Sequence, residues 1–313
     1  MGQILAIDIG GTQIRAALFE RGSLKPARVE RTRTEASKPG VYDRLEALVA
    51  SIWPESGQVD AIGIASPGPL DPHTGVIIAT PNIKEWRNFP LTGKLKARFG
   101  VPVVLDNDAN LACLGEWQFG AGQSHQDVLY LTISTGIGGG VVSNGRLVQG
   151  YHGLAGELGH TTVWPDGPLC GCGKRGHIEA IASGTAIARY AREQIEDGRR
   201  PSSLATLATI TSRDVSDAAA AGDLLSIETL ARAGRYLGVA VANFLAAFDP
   251  SIVIFGGGAS NSGPALFEPF HASLRENIFD PTYLTNLTFA RAALGDDAGL
   301  LGAQTLAAMA AAE

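Results

Sequence analysis

Ile4-Leu-Ala-Ile-Asp8-Ile9-Gly10-Gly11-Thr12-Gln-Ile14-Arg-Ala-Ala-Leu-Phe19, near the start of the chain, decides what fold to expect. Residues 4–9 are a short apolar run of strand type, Gly10-Gly11-Thr12 is a turn, and residues 14–19 supply the returning strand, with a second turn at Gly22-Ser23. The same order recurs far downstream. Val128-Leu-Tyr-Leu-Thr-Ile133 leads into Ser134-Thr135-Gly136-Ile-Gly138-Gly139-Gly140, then Val141-Val142 and a turn at Asn144-Gly145, so that Gly22-Ser-Leu24 falls on Gly145-Arg-Leu147. This internal echo predicts two related α/β domains. A third glycine turn, Gly256-Gly257-Gly258, follows the strand-like residues 252–255.

Three glycine turns after three apolar strands suit a bound nucleotide. Backbone N–H groups approach phosphate oxygens closely where no Cβ intervenes, and successive N–H groups make an anion nest. Each turn taken singly is equally explained by hairpin geometry. No G-x-x-x-x-G-K-[ST] loop is present, nor a G-x-G-x-x-G opening a βαβ unit, which excludes a P-loop enzyme and an ordinary dinucleotide binder. Asp8 is the odd residue of its apolar run. Beside a phosphate turn it is either a turn-capping group or one that holds Mg²⁺ through water, and the metal role is favoured here.

The strand at residues 103–105 runs straight into Asp106-Asn107-Asp108-Ala109-Asn110, and a helix is expected over 109–119. A helix N-cap accounts for one Asp or Asn at such a place. It does not account for all of these, so at least one is expected to do chemistry. Ser66-Pro67-Gly68-Pro69 and Thr80-Pro81-Asn82 are loops at strand ends, where binding groups also sit.

A second cluster lies in Gly156-Glu157-Leu-Gly-His160 and Cys170-Gly-Cys172-Gly-Lys-Arg-Gly-His177-Ile-Glu179. His160, Cys170, Cys172 and His177 are the donor types of a tetrahedral zinc site. Cys-x-Cys is tighter than the usual zinc spacing, so the pattern alone leaves a metal-free loop open; a Cys170–Cys172 disulfide is sterically poor. A metal would hold Glu157 and Glu179 in place to bond a polyhydroxylated ligand.

With 313 residues, 45% hydrophobic and 18% charged, the chain has material for two cores. A formal net charge of -6 without a basic stripe argues against nucleic-acid binding, and Arg31, Arg33 and Arg199-Arg200 read as solvated loop ends. Three cysteines suggest a reducing compartment, with Cys113 filling apolar space. The N-terminus lacks the marks of a signal peptide, and the longest apolar run, 236–248, is too short to span a bilayer. A cytoplasmic protein without membrane partners is expected. The chain after residue 181 reads as mostly helical, with a capping pattern at Thr211-Ser-Arg-Asp214. The last helix, 298–312, should turn Leu300, Leu301, Leu306 and Met309 to the core and could pack back on the first domain.

Together these motifs resemble the ROK family of sugar kinases and sugar-responsive repressors, within the actin–hexokinase–Hsp70 fold group. The matching stretches are Asp8-Ile-Gly-Gly-Thr12, Asp106-Asn-Asp-Ala-Asn110, Ser134-Thr-Gly-Ile-Gly138, Gly156-Glu-Leu-Gly-His160, Cys170-x-Cys-Gly-x-x-Gly176-x-x-Glu179 and Gly256-Gly-Gly, which cover nearly the whole chain. The resemblance implies a two-domain actin-like ATPase (ribonuclease H-like) α/β fold with nucleotide and sugar in the interdomain cleft. It implies a small domain of residues 1–118 joined by 297–313, and a large one of 119–296 carrying the zinc loop. It further implies an ATP- and Mg²⁺-dependent hexose 6-phosphotransferase with structural Zn²⁺, working as a homodimer or higher homo-oligomer.

Carried over to this chain, Asp108 looks like the general base for the sugar's 6-hydroxyl. Asn107, Glu157, His160 and Glu179 look like sugar ligands, with Gly68 and Asn82 lining the same pocket. Asp8, Gly10, Gly11, Thr12, Thr135 and Gly136 look like phosphate and metal contacts, and Gly256 and Gly257 like part of the adenosine site. Zinc would take His160, Cys170, Cys172 and His177, the last standing where the family has a cysteine; imidazole serves there equally. Glucose is the expected substrate. Alternatives are an N-acetylhexosamine kinase (N-acetylmannosamine or N-acetylglucosamine), a fructokinase, or a catalytically silent sugar-sensing regulator. The family's repressors carry a DNA-binding domain before the first phosphate motif, for which the chain has no room, and Asp108 speaks for catalysis.

Overall fold

Alternation along Gln3–Ile9 (β1) divides its side chains between two apolar clusters: Leu5, Ile7 and Ile9 enter one, and Ala6 enters another. That is the period of two of a strand covered on both faces. β1 turns at Gly10, whose N–H donates to the Gln13 carbonyl at 2.9 Å, into the antiparallel Gln13–Glu20 (β2), which pairs with Arg28–Arg33 (β3). After the helix Val41–Ile52 (α1), Val59–Ser66 (β4) joins β1 in parallel. Leu70–Asp71 (β5) and Val76–Ile77 (β6) form a small separate ribbon, and Leu91–Phe99 (α2) precedes Val103–Asn107 (β7). The sheet order is β3-β2-β1-β4-β7, and β7 runs straight into the helix Asp108–Phe119 (α3). The computed structural model describes the chain except residues 1, 36–39, 56–57, 81, 199 and 313; Pro81 and Arg199, named above, lie outside the described residues.

The plan recurs in the second sheet, as the sequence echo predicts. Val128–Ile133 (β8), Ile137–Ser143 (β9) and Arg146–Leu147 (β10) are followed by a mostly helical stretch: Glu179–Ala182 (α4), Gly184–Glu196 (α5), Ser212–Ala220 (α6) and Leu224–Phe248 (α7). Ile252–Gly256 (β11), Pro264–Asn277 (α8) and Thr288–Arg291 (β12) complete it, in the order β10-β9-β8-β11-β12 with β8, β11 and β12 parallel. Thr211 and Asp214 close the expected capping box at the start of α6. One detail differs from the sequence reading: β9 begins at Ile137, so Gly138, Gly139 and Gly140 lie within the strand rather than in the turn. Packing is the reason for two of them. A Cβ on Gly139 would stand 2.6 Å from Leu158 Cδ1, and one on Gly140 would stand 2.5 Å from Cys113 Cβ.

The chain closes with Ala298–Ala310 (α9). Met1–His125, Gly140–Gly156 and Ala292–Glu313 make one compact unit, and Gln126–Gly139 with Glu157–Arg291 make the other. Within the first unit α9 packs on α3 so closely that a Cβ on Gly302 would lie 1.7 Å from the Leu111 carbonyl oxygen. Of the positions expected to face the core, Leu300 and Leu301 are buried and Leu306 is half-buried, but Met309 is 41% exposed. Gly302, Ala303 and Ala307 make the inner face instead, because backbones this close leave no room for a long side chain. No helix among the described residues is long and apolar enough to cross a membrane.

Candidate functional site

From Glu157, where the chain re-enters the second unit, it folds into a tight knuckle. Thr162 bridges to His177 and Leu169 to Arg175, while the Cys170 N–H donates to the Lys174 carbonyl at 2.7 Å. The fold thereby gathers His160, Cys170, Cys172 and His177, one ligand atom from each lying within 4.8 Å of all the others. Cys170 Sγ is 3.7 Å from His160 Nδ1, and Cys172 Sγ is 3.2 Å from His177 Nδ1. Zinc bond lengths of about 2.3 Å to sulfur and about 2.0–2.1 Å to nitrogen give tetrahedral edges of roughly 3.3–3.8 Å, close to the two Cys–His separations, so the donor types and their gathering are consistent with a closed zinc site. The three cysteines are free thiols. Burial, joined by the nearby Glu179 charge, pushes the Cys170 thiol up to about 11, and a bound cation would reverse this. Burial also holds His177 below its ordinary value, in the neutral form that ligates.

His160 uses both sides of its ring. Nδ1 faces Cys170, while Nε2 stands 4.0 Å from the exposed Glu157 carboxylate. Glu179, at the start of α4, accepts from the Ile137 N–H at 3.0 Å through Oε2, and its Oε1 takes the Cys170 thiol at 3.5 Å. The structure therefore brings Glu179 against the glycine turn between β8 and β9. A Cβ on Gly136 would lie 2.5 Å from Glu179 Oε2.

Ser134 and Thr135 of that turn form one wall of a cavity of about 590 Å³, shared with Gly258 and Ala259 after β11. Gly257, at φ +80°, abuts the end of β8: a Cβ there would sit 2.4 Å from the Ile133 carbonyl oxygen. The remaining wall comes from α5 and the start of α6, through Gly184, Arg189, Arg192, Ile210, Thr211 and Ser212. Sequence reading missed these. The one available signal, the Thr211 box, was understood solely as a helix cap.

In the first unit the polar run after β7 separates into distinct jobs. Asp106 is fully buried; its Oδ1 accepts from the Asn107 N–H at 2.6 Å and Asn110 Nδ2 at 3.0 Å, and its Oδ2 from Gln149 Nε2 at 2.6 Å. Burial pushes the Asp106 carboxyl above the usual range, against the pull of these donors. Asn107 caps α3, its Oδ1 accepting from the Ala109 N–H at 2.9 Å. Asp108 alone of these is exposed, in the first turn of the helix, with Oδ1 accepting from Ala109 N–H at 2.8 Å. Gly68 lies beside Asn107, where a Cβ would be 3.5 Å from Asn107 Nδ2, and Asn82 lies beside Gly11, its Nδ2 3.0 Å from a Cβ built there.

Asp8 carries a feature the sequence did not disclose. Its Oδ2 accepts from Arg15 Nε at 3.1 Å and Nη2 at 2.8 Å, and Arg15 also donates to Asp297 Oδ1 at 2.8 Å and to the Asp296 carbonyl. Arg15 is buried, and this paired set stands at the Gly10-Gly11-Thr12 end of β1, with Thr12 and Gly11 exposed.

Comparison with known proteins adds to this geometry. The model described as ROK family matches residues 4–310. A glucokinase of Thermotoga maritima is 38% identical over 313 residues, covering 97% of this chain and 96% of its own. An N-acetylmannosamine kinase of Citrobacter koseri is 35% identical over 303 residues, with coverage of 97% and 98%. The crystal structure of a ROK glucokinase from Streptomyces griseus in complex with glucose and AMPPNP superposes with a TM-score of 0.78, at 36% identity and 98% and 100% coverage.

Proposed function

The chain belongs to the ROK family, and we propose that it is an ATP-dependent kinase of glucose that transfers phosphate to the sugar's 6-hydroxyl, with Asp108 as the base. The fold is the two-domain actin-like ATPase fold of that family. ATP use is supported by the Streptomyces griseus relative, which was crystallised with an ATP analogue and glucose.

The observation that carries the role of Asp108 is the division of labour after β7. Asp106 is buried among donors and Asn107 caps α3, whereas Asp108, which also accepts the Ala109 N–H, is the exposed carboxylate of the run, and that exposure supports its meeting a ligand. In transfer the sugar's 6-oxygen bonds to the γ-phosphorus, the bond from phosphorus to the ADP oxygen breaks, and Asp108 takes the hydroxyl proton. Such chemistry rests on positioning and on neutralising charge. Asn107, Glu157, His160 and Glu179 are assigned as sugar ligands by the family resemblance, and Gly68 and Asn82 as further sugar contacts. Gly10, Gly11, Thr12, Thr135 and Gly136 are assigned to phosphate, and Gly256 and Gly257 to the adenosine site, next to Gly258 and Ala259, which line the 590 Å³ cavity.

His160, Cys170, Cys172 and His177 would hold a structural Zn²⁺, which supplies rigidity and no Lewis acid, since all four positions are filled by protein. Coordination takes the thiol protons, so Cys170 then donates nothing to Glu179 and leaves Oε1 to accept from a hydroxyl. Mg²⁺ would accompany ATP. Asp8 would reach it through water by Oδ1, since Arg15 occupies Oδ2. A homodimer or higher homo-oligomer in the cytoplasm is in keeping with the family resemblance and with three free thiols.

The likeness to N-acetylmannosamine kinases supports a second reading, an N-acetylhexosamine substrate. Initial rates with ATP over glucose, mannose, fructose, N-acetylglucosamine and N-acetylmannosamine, with the phosphate position read by NMR, separate the two. Glucose is expected to show the highest kcat/KM. A preference of about tenfold for another sugar, about 1.4 kcal/mol at the transition state, would overturn glucose as substrate.

A further inference from the structure

We infer that Glu179 is a positioning residue for the turn Ser134–Gly136, and that the metal loop thereby sets nucleotide affinity as well as sugar affinity. This rests on the assignment of the 590 Å³ cavity to a nucleotide. Glu179 is expected on the sugar side; its strongest contact in the structure lies elsewhere. Oε2 accepts the Ile137 N–H at 3.0 Å where the chain leaves the turn for β9, and the carboxylate lies over Gly136, where a Cβ would meet Oε2 at 2.5 Å. A charge-assisted bond to a turn amide fixes the path of the turn more firmly than a neutral one. From the other side the Gly184 N–H donates to the Ser134 carbonyl at 2.7 Å, and within the turn the Ser134 N–H donates to the Gly136 carbonyl at 2.9 Å. Ser134 and Thr135, the residues so clasped, line the cavity.

Glu179 in turn takes its place from the metal loop. It stands two residues after His177, and the Ile178 N–H donates to the Thr161 carbonyl at 3.0 Å. Thr161 follows His160 and Ile178 follows His177, so a cation joining the two imidazoles pins both ends of that bond. The path is contiguous: metal, the Thr161–Ile178 bond, Glu179, the Ile137 amide, the turn. All of it lies in one compact unit. Two sites joined through such a path have a coupling free energy, and the coupling is reciprocal.

The test measures ADP binding calorimetrically without sugar, on metal-loaded wild type, Cys172→Ser, Glu179→Ala and the double variant, with metal content measured on each. Metal loss and Glu179→Ala should each weaken ADP by about tenfold, within the range of ordinary couplings. The double variant should be no weaker than Glu179→Ala alone, because both changes cut one path. Glu179→Gln keeps a carbonyl oxygen for the Ile137 amide and should recover most of the ADP affinity, a rescue that general loosening of the fold would not give. Unchanged ADP affinity in metal-free Cys172→Ser, or additive losses in the double variant, would overturn the inference alone. Failure of metal-loaded wild type to bind ADP would overturn the nucleotide assignment and the inference with it.

Discussion

Asp106 and Asp108 are two residues apart and should respond to mutation in opposite ways. Asp106→Ala removes the acceptor of three donors: the Asn107 N–H, Asn110 Nδ2 and Gln149 Nε2. Asn110 retains a long contact of 3.4 Å to the Ala155 carbonyl, so at least two donors lose a good partner. At about 1–3 kcal/mol for each buried group left unpaired, the loss is roughly 2–6 kcal/mol, a large share of a stability of about 5–15 kcal/mol. Asp106→Asn is a different case. Its carbonyl keeps the two donors on Oδ1, and rotation of the Gln149 amide lets its oxygen face the new amide, so the cost should stay near 1 kcal/mol. The pH dependence follows from the burial that raises the Asp106 carboxyl above its ordinary 3.8. A raised folded value contributes stability below the unfolded pKa and loses it as pH climbs through the folded one. The Asn variant does not titrate, so its deficit relative to wild type should shrink as pH rises above about 4. Urea unfolding followed by circular dichroism at several pH values reads all of this. An alanine variant within about 1 kcal/mol of wild type, or an asparagine variant as damaged as the alanine, would refute the assignment of Asp106 as a structural acceptor.

Asp223 caps α7 and accepts from the Ser226 and Ser203 amides at 2.9 and 2.8 Å; burial raises its pKa, but these donors and Ser202 outweigh it and bring it to about 2. Asp223→Ala should cost about 1–2 kcal/mol at neutral pH, and the difference from wild type should fade as pH drops from about 4 towards 2, as thermal melts across that range would register. Gly302→Ala forces a methyl to within 1.7 Å of the Leu111 carbonyl oxygen, so α9 must shift on α3 at a cost of about 1–3 kcal/mol or more, measurable by denaturant unfolding. Cys172→Ser should lose the metal and raise the KM for glucose; elemental analysis of protein purified without added zinc gives the occupancy, and full activity at near-zero metal would remove the structural zinc.

What could be seen in the sequence is what is local along the chain. The hairpin at Gly10-Gly11-Thr12, its echo at Ser134-Thr135-Gly136, the start of α3 and the capping box at Thr211 rest on neighbours within a few residues. The gathering of His160, Cys170, Cys172 and His177 was legible for the same reason, since one short stretch of chain carries all four. Pairings set by tertiary packing were not. Arg15 reaches Asp297 across 282 positions, and Gln149 meets Asp106 across 43. No periodicity encodes such partners. Met309 was misjudged because helical spacing marks an apolar stripe but does not report how closely α9 approaches α3. The arginines and helix starts that wall the 590 Å³ cavity are unremarkable in composition, and only the fold collects them.

The central claim is that Asp108 takes the proton from glucose. Asp108→Asn keeps the size of the side chain and the N-terminal helix contact but cannot accept that proton. With ATP and saturating glucose, kcat should fall by about 10²–10⁴, while the calorimetric Kd for glucose changes far less and the unfolding curve stays in place. An asparagine variant that phosphorylates glucose at near wild-type kcat would contradict the account.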